Sequence, residues 1–329
     1  MPYRPPYTIT EDILTRVANI SEKVGQLKQW YEQEVDLRLR RINRIRTVAG
    51  SLAIEGNTLT EEQITALLDG KLVIAPPREI QEAKNALVAY EQLSVWNPKQ
   101  QEQLLKAHKI LMLGLVDTAG RYRSGGVGVF AGKQVIHMAP PAKQVERLMN
   151  DLFQWLNTTT VHPLIASSVF HFEFEFIHPF EDGNGRMGRL WQTLILSKWH
   201  PLFTHLPVES LVHKNQAAYY QALQDSTAQT DSAPFIIFML DKIEDAINDF
   251  LTAQASTQVT AQVNEQLVAL LNAMQPQRYY TTAELMQLLG LVHRESFRKT
   301  YLKPALAQGL VAMLIPEKPN SPKQKYRKV

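Results

Sequence analysis

The stretch His178-Pro179-Phe180-Glu181-Asp182-Gly183-Asn184-Gly185-Arg186-Met187-Gly188-Arg189 brings together side chains able to do chemistry on a phosphate. His178 can take a proton near neutral pH, as a general base must. Asp182 offers the hard oxygen that Mg2+ prefers. Pro179 and the Asp-Gly-Asn-Gly run forbid a continuous helix. Met187, Leu190, Leu194 and Ile195 recur at helical spacing, which predicts a helix starting near Gly185. A glycine-rich turn feeding a helix N-terminus aims backbone N–H groups outward and favours a bound phosphate. Arg186 and Arg189, three apart in the first turn, could both reach the outer phosphates of a nucleotide.

The elements that must position these residues read as helix after helix. Apolar spacing covers Glu11 to about Glu34, with Thr10 as cap, and continues through Leu37, Ile42, Ile45, Val48 and Leu52 to a stop at Gly56-Asn57. Thr60-Glu61-Glu62-Gln63 reads as a capping box for a short helix ending at Gly70. Further helices fit Glu79 to Trp96, Gln101 to Leu113, Lys143 to Leu156, Pro163 to Phe176, Gln216 to Gln224 and Pro234 to Leu251. Between Gly120 and Pro141, Val127, Val129 and then Val135 alternate with other residues around a turn at Ala131-Gly132-Lys133, which predicts a short β-hairpin. The first part of Ala253 to Asn264 reads as a linker. Beyond it lie three helical patterns (Val263 to Met274, Thr282 to about Gly290, and His293 or Glu295 to Gln308), then strands at Ala312 to Ile315 and Lys323 to Val329. Three helices and a hairpin resemble a winged helix-turn-helix module. The expected fold is all-α with one hairpin, divided as 1–103, 104–252 and 262–329, the last a small winged-helix-like domain.

Composition narrows the functional classes. Of 329 residues 45% are apolar, ordinary for a globular core. No run of about 18 apolar residues predicts a membrane span, and Met1-Pro2-Tyr3-Arg4-Pro5-Pro6 does not read as a signal peptide. The absence of cysteine excludes disulfides and thiol catalysis and fits a cytoplasmic protein. A net charge of +3 is too small to imply a nucleic-acid partner for the whole chain. Gly126-Val127-Gly128-Val129-Phe130-Ala131 matches a dinucleotide fingerprint in letters but lacks the strand and helix around it. His171 reads as a packing residue. The run Arg38, Arg40, Arg41, Arg44, Arg46 reads as a solvated face, with nucleic acid as the alternative.

The string His178 to Arg189 resembles the signature of the Fic family, His-Pro-Phe-x-(Asp/Glu)-Gly-Asn-Gly-Arg-x-x-Arg, at every defined position. The resemblance implies transfer of AMP from ATP to a Ser, Thr or Tyr hydroxyl of a target protein, this chain itself included. It implies His178 as base and Asp182 as the Mg2+ ligand. Asn184, with the N–H groups of Gly183 and Gly185, would face the α-phosphate, and Arg186 and Arg189 the departing pyrophosphate. The hairpin of Val127, Val129, Val135 and Ile136 resembles the family's flap, which aligns a target segment by strand-like pairing. Tyr219-Tyr220 resembles a segment lining the nucleotide side of the cleft, and reads equally as core. Death-on-curing relatives, which phosphorylate, carry lysine for the second glycine and lack the second arginine; Gly185 and Arg189 argue against that chemistry.

Ser51-Leu52-Ala53-Ile54-Glu55-Gly56 resembles the family's inhibitory motif, (Ser/Thr)-x-x-x-Glu-(Gly/Asn). Ser51 and Glu55, four apart, share a helix face. The resemblance implies that Glu55 occupies Arg189, so that ATP binds in a pose misaligned for attack, within one chain or across a homo-oligomer. Removal of AMP by the same site, and a DNA-binding regulator that keeps the fold as a nucleotide sensor, are the alternatives. For the latter, Arg294, Arg298, Lys299, Lys303, Lys318, Lys323, Lys325, Arg327 and Lys328 stand against only Glu295 and Glu317 from residue 291 onward. Within 262–329 that excess suits either duplex DNA or a docking protein.

Overall fold

The computed structural model describes residues 3–31, 37–131, 134–275, 278–307, 310–319, 321 and 323–328, with side chains described there except at 28–39, 128–137, 253–265 and 268. The helices of the first part of the chain are α1 Glu11–Tyr31, α2 Leu37–Ile54, α3 Glu61–Leu68, α4 Pro77–Glu91, α5 Gln101–Leu111, α6 Ala142–Thr158, α7 Pro163–Ile177, α8 Asn184–Trp199, α9 Val208–Lys214, α10 Gln216–Gln229 and α11 Ala233–Ala273, most of them where the apolar spacing is helical. Between α5 and α6 lies an antiparallel hairpin, β1 Gly128–Ala131 with β2 Gln134–Met138. Its register shifts between Val129 and Phe130.

Polar side chains cap the starts of α1 and α3. Thr10 Oγ1 accepts the Ile13 N–H at 3.2 Å. Thr60 and Gln63 form a reciprocal capping box for α3. Two features depart from the expected elements. The seven residues of α9 were not anticipated, since so short a helix shows too few turns for a periodicity to emerge. α11 runs through the stretch read as a linker, whose Ala and Gln are good helix formers.

The described residues fall into two units, Met1–Asn248 and Asp249–Val329. In the first, α7 and α8 are the central pair. α7 is buried on almost every face, through Ile165, Val169, Phe170, Phe172 and Phe174, and α8 buries Met187, Leu190, Trp191 and Leu194. Helices apolar all round belong in an interior, and theirs is made by the neighbours packed about them. α2 crosses α9 closely enough that a Cβ on Gly50 would lie 2.5 Å from the Ser210 nitrogen. Ser210 Oγ donates to the Arg46 carbonyl across the same contact at 2.7 Å.

In the second unit, α12 Thr282–Leu288, α13 Arg294–Phe297, a π turn at Arg298–Leu302 and α14 Lys303–Ala307 surround a core of Leu270, Met274, Tyr280, Leu285, Phe297 and Leu302. The widened turn precedes Pro304, whose ring would strike the carbonyl four residues earlier in a regular helix. The expected hairpin is part of a three-stranded antiparallel sheet, ordered β3 Tyr279–Tyr280, β5 Tyr326–Lys328, β4 Val311–Met313. β3 is too short to show alternation in sequence. Among the described residues no helix is long and apolar enough to cross a membrane.

Candidate active site

The signature forms the turn from α7 into α8. His178 caps α7 in the left-handed region at φ 49°, ψ 62°, its N–H donating to the Phe174 carbonyl at 2.9 Å. A non-glycine residue there costs about 1–2 kcal/mol and persists only when its surroundings hold it. Arg123 is the holder. Its Nε donates to the His178 carbonyl at 2.7 Å, Nη2 to those of Ile177 and Pro140, and Nη1 to that of Gly125. Its own N–H donates to the Pro179 carbonyl. One buried guanidinium therefore pins the helix end, the turn and both roots of the hairpin.

The middle of the turn rests on His108. Its ring stacks on buried Phe180 with centroids 3.6 Å apart. Nδ1 accepts the Gly120 N–H at 2.8 Å, so Nε2 carries the proton and donates to the Asp182 carbonyl at 3.0 Å. Burial lowers its pKa to about 4, which keeps the ring neutral. Asn184 clasps the turn, Oδ1 accepting from Phe180 N and Nδ2 donating to Phe180 O, both at 2.9 Å. Expected to face the α-phosphate, its amide is engaged at both ends in bracing the loop. Outward-facing donors then come from the backbone of the first turn of α8, whose N–H groups lack intrahelical partners. Gly183 is left-handed at φ 83°, and a Cβ on it would meet Met112 Sδ at 2.6 Å.

Arg189 lies fully inside. Nε donates to Ser51 Oγ at 3.1 Å, and Nη2 to the Ser51 carbonyl at 2.9 Å and to Glu55 Oε1 at 2.7 Å. Burial disfavours its charge, and Glu55 beside it more than restores it, so its pKa lies above the ordinary arginine value. Gly185 makes the room: a side chain there would collide with the Glu55 carboxylate. Gln216 Nε2 donates to the Ile54 carbonyl at 2.8 Å, tying the end of α2 to α10.

Arg186 and Asp182 belong to a second set of ion pairs. Asp182 Oδ1 accepts from Arg186 Nη2 at 3.0 Å and from the Gly183 N–H, while Oδ2 accepts from Arg78 Nη2 at 3.0 Å. Glu82 lies 3.4 Å from Arg78 and 3.6 Å from Arg186, and is held by Asn57 Nδ2 at 2.9 Å. Among the described residues no group of three or more metal-ligating side chains exists. A single carboxylate does not make a cage for a resident metal; its hard oxygen is of the kind Mg2+ takes alongside phosphate oxygens and waters.

Beneath the turn, His171 Nδ1 donates to Gln192 Oε1 at 2.5 Å and its Nε2 accepts from Tyr219 at 3.2 Å. Both nitrogens are spent, and burial lowers its pKa to about 3, as a packing residue allows. Tyr219 is buried and Tyr220 partly so. In the hairpin Val127 is half-buried and its carbonyl accepts from Ala139 N at 3.3 Å. The backbone of Val129, Val135 and Ile136 forms the strands, while their side chains lie outside the described residues. Away from this site, Arg40, Arg41 and Arg44 line a cavity of about 650 Å3, with Arg41 paired to Asp69 and Arg44 to Glu91.

The Fic/DOC family pattern matches residues 98–196, and that of the filamentation induced by cAMP protein Fic-like C-terminal domain matches residues 265–328. The crystal structure of a Fic family protein from Desulfovibrio desulfuricans G20 is 50% identical, covers 99% of this chain and 98% of its own, and superposes with a TM-score of 0.77. The chain belongs to the Fic family. Its fold is the all-α Fic fold with an additional C-terminal module. Curated Fic relatives include the protein adenylyltransferase Fic of Nematostella vectensis, 30% identical over 215 residues, 62% of this chain and 48% of that protein. Protein adenylyltransferase fic-1 of Caenorhabditis elegans is 30% identical over 223 residues, 63% of this chain and 41% of that one. The chain thus spans about half the length or less of these curated Fic proteins. His108, Arg123, Arg78 and Glu82 were not singled out in the sequence, because no local pattern distinguishes them from ordinary helix and loop residues.

Proposed function

We propose that this protein transfers AMP from Mg·ATP to a protein hydroxyl, with His178 as base and Glu55 as brake. The reading rests on one observation: His178, the first turn of α8, Arg186 and Arg189 converge on one turn, and a carboxylate sits on the last of these cations. The names of the curated relatives support it. In this scheme the hydroxyl oxygen attacks the α-phosphorus as His178 takes its proton. The bond from the α-phosphorus to the bridging oxygen breaks, and pyrophosphate leaves toward Arg186 and Arg189. Backbone N–H groups at the start of α8 stabilise the charge that builds on the α-phosphate. Asp182, which now pairs with Arg78, would hold Mg2+ accompanying the nucleotide, and that ion would offset phosphate charge.

Glu55 on Arg189 denies the γ-phosphate its guanidinium, and a displaced triphosphate presents its α-phosphorus badly. Intact-mass measurement of the chain after incubation with Mg·ATP tests the scheme, together with pyrophosphate release. One added AMP on Glu55→Gly, absent from the His178→Ala partner, is expected; no pyrophosphate from Glu55→Gly with a range of protein acceptors rejects it. For residues 262–329 we propose a polyanion contact, carried by Arg294, Lys299 and Lys303, which line one pocket with Glu295 as its acidic member. Duplex binding that falls steeply with salt is expected, and none at about 50 mM salt leaves protein docking as the better account.

A further inference from the structure

We propose that Glu175 is a positioning residue that holds the His178 imidazole with its proton on Nδ1, leaving the Nε2 lone pair for the attacking hydroxyl. The proposal rests on the adenylyl-transfer reading. Glu175 stands in the last turn of α7, three residues before His178. Its Oε2 lies 3.8 Å from His178 Nδ1, and its own carbonyl lies 3.4 Å from the same nitrogen. Both acceptors of one residue thus face one ring nitrogen, the arrangement that fixes a tautomer when a third group orients a base.

The rest of the carboxyl group is unspent. Oε1 is buried and has no hydrogen-bond partner, a costly state for an acceptor. His171 lies 3.9 Å from Oε1 but cannot serve it, because Nδ1 donates to Gln192 and Nε2 accepts from Tyr219. Room for Oε1 is kept by Gly188, where a Cβ would lie 2.7 Å away. The signature helix thus has two glycines that make space for carboxylates, Gly185 for Glu55 and Gly188 for Glu175.

The charged and titratable groups facing Glu175 are Arg189 from α8, Glu55 from the end of α2, Tyr219 and Tyr220 from α10, and His171 and His178 on its own side. Burial pushes the Glu175 pKa up to about 8; Arg189 opposes this and Glu55 adds to it. Glu55 and Glu175 compete for one guanidinium. When Glu55 leaves, its repulsion goes with it and Arg189 favours the Glu175 carboxylate. An ionised Glu175 then accepts from Nδ1–H and makes His178 a stronger base, so release of the brake also readies the base.

The test compares Glu55→Gly with Glu55→Gly/Glu175→Gln and Glu55→Gly/Glu175→Ala in the full chain. With alanine, kcat should fall about tenfold, part of what a positioned base supplies, with KM for ATP unchanged. With glutamine, which keeps shape and an acceptor, most of kcat should return. In both, the acid limb of the pH–rate profile should move to lower pH, because the imidazole has lost an anionic neighbour. An NMR titration of the His178 ring should show the same downward shift and needs no turnover. If Glu55→Gly transfers no AMP, the adenylyl-transfer reading fails while the titration still decides the contact. An unshifted His178 titration in the glutamine variant overturns the proposal, as does an alanine variant with full kcat.

Discussion

Arg189, buried in α8, is held by Glu55 and would hold a γ-phosphate in the proposed reaction. Replacing Glu55 by glycine should therefore raise AMP transfer at least about tenfold, the energy of one charge-assisted contact. Glycine also frees the backbone just past the end of α2, so Glu55→Gln is the milder control. Equal transfer by wild type and both variants, followed by intact mass, would remove Glu55 from the role of brake. His178→Ala should abolish transfer while ATP binding by calorimetry stays close to wild type, since in the proposed reaction the ring acts on the nucleophile and not on the nucleotide. At Asp182 the competitor is Arg78, bonded to Oδ2 at 3.0 Å and itself largely exposed. Arg78→Ala should lower the Mg2+ concentration needed for half-maximal transfer. A higher requirement would show that Arg78 helps to build the site and does not guard it.

At the scale of elements, the proposed brake depends on where α2 lies. Its seat on α9 passes through Gly50, and its end is tied to α10 through Gln216 and Ile54. A methyl group at residue 50 must push one backbone away from the other, at a cost of about 1–3 kcal/mol. Gly50→Ala should lower the melting temperature and, by loosening α2, raise basal transfer. A lower melting temperature with transfer unchanged would mean that Glu55 follows Arg189 and not the helix that carries it. Arg123 plays the corresponding part for α7 and the hairpin, since its donors reach carbonyls of both.

Across the whole molecule, buried titratable groups set a stability profile with pH. Burial raises the pKa of Glu173 to about 7, of Glu175 to about 8 and of Glu209 to about 7. Unfolded, these groups ionise near pH 4.5, so above that the unfolded chain sheds protons the fold retains and stability falls until pH 7 to 8. Burial lowers His108 to about 4, His171 to about 3 and His205 to about 4. Below the ordinary histidine value of 6.5 the unfolded chain gains protons the fold refuses, and stability falls with pH. Between about pH 4.5 and 6.5 the two slopes oppose each other. Thermal denaturation should therefore show a plateau there, with losses on both sides. A melting temperature still rising from pH 6.5 to 8 would mean that these carboxyl groups ionise freely in the fold.

What the sequence determined by itself was local. The cap at Thr10, the capping box at Thr60, the helices α5 to α8 and the turn from His178 to Gly185 depend on neighbours a few residues apart, and such patterns are written along the chain. The meeting of Glu55 with Arg189 has a motif at each end, so the family resemblance alone implies it. Tertiary structure alone decided the rest. Arg123 and His108 hold the turn across 55 and 74 positions of chain, and Arg78 reaches Asp182 across 104. The carboxyl group of Glu175 is three residues from His178, yet its burial, its unspent oxygen and its share in Arg189 depend on α8, α10 and the end of α2 closing over it. Periodicity tells which face of a helix is apolar. Which polar side chain ends up without water, and beside which charge, is settled only when the helices pack, because desolvation belongs to the assembled interior and not to any segment of it.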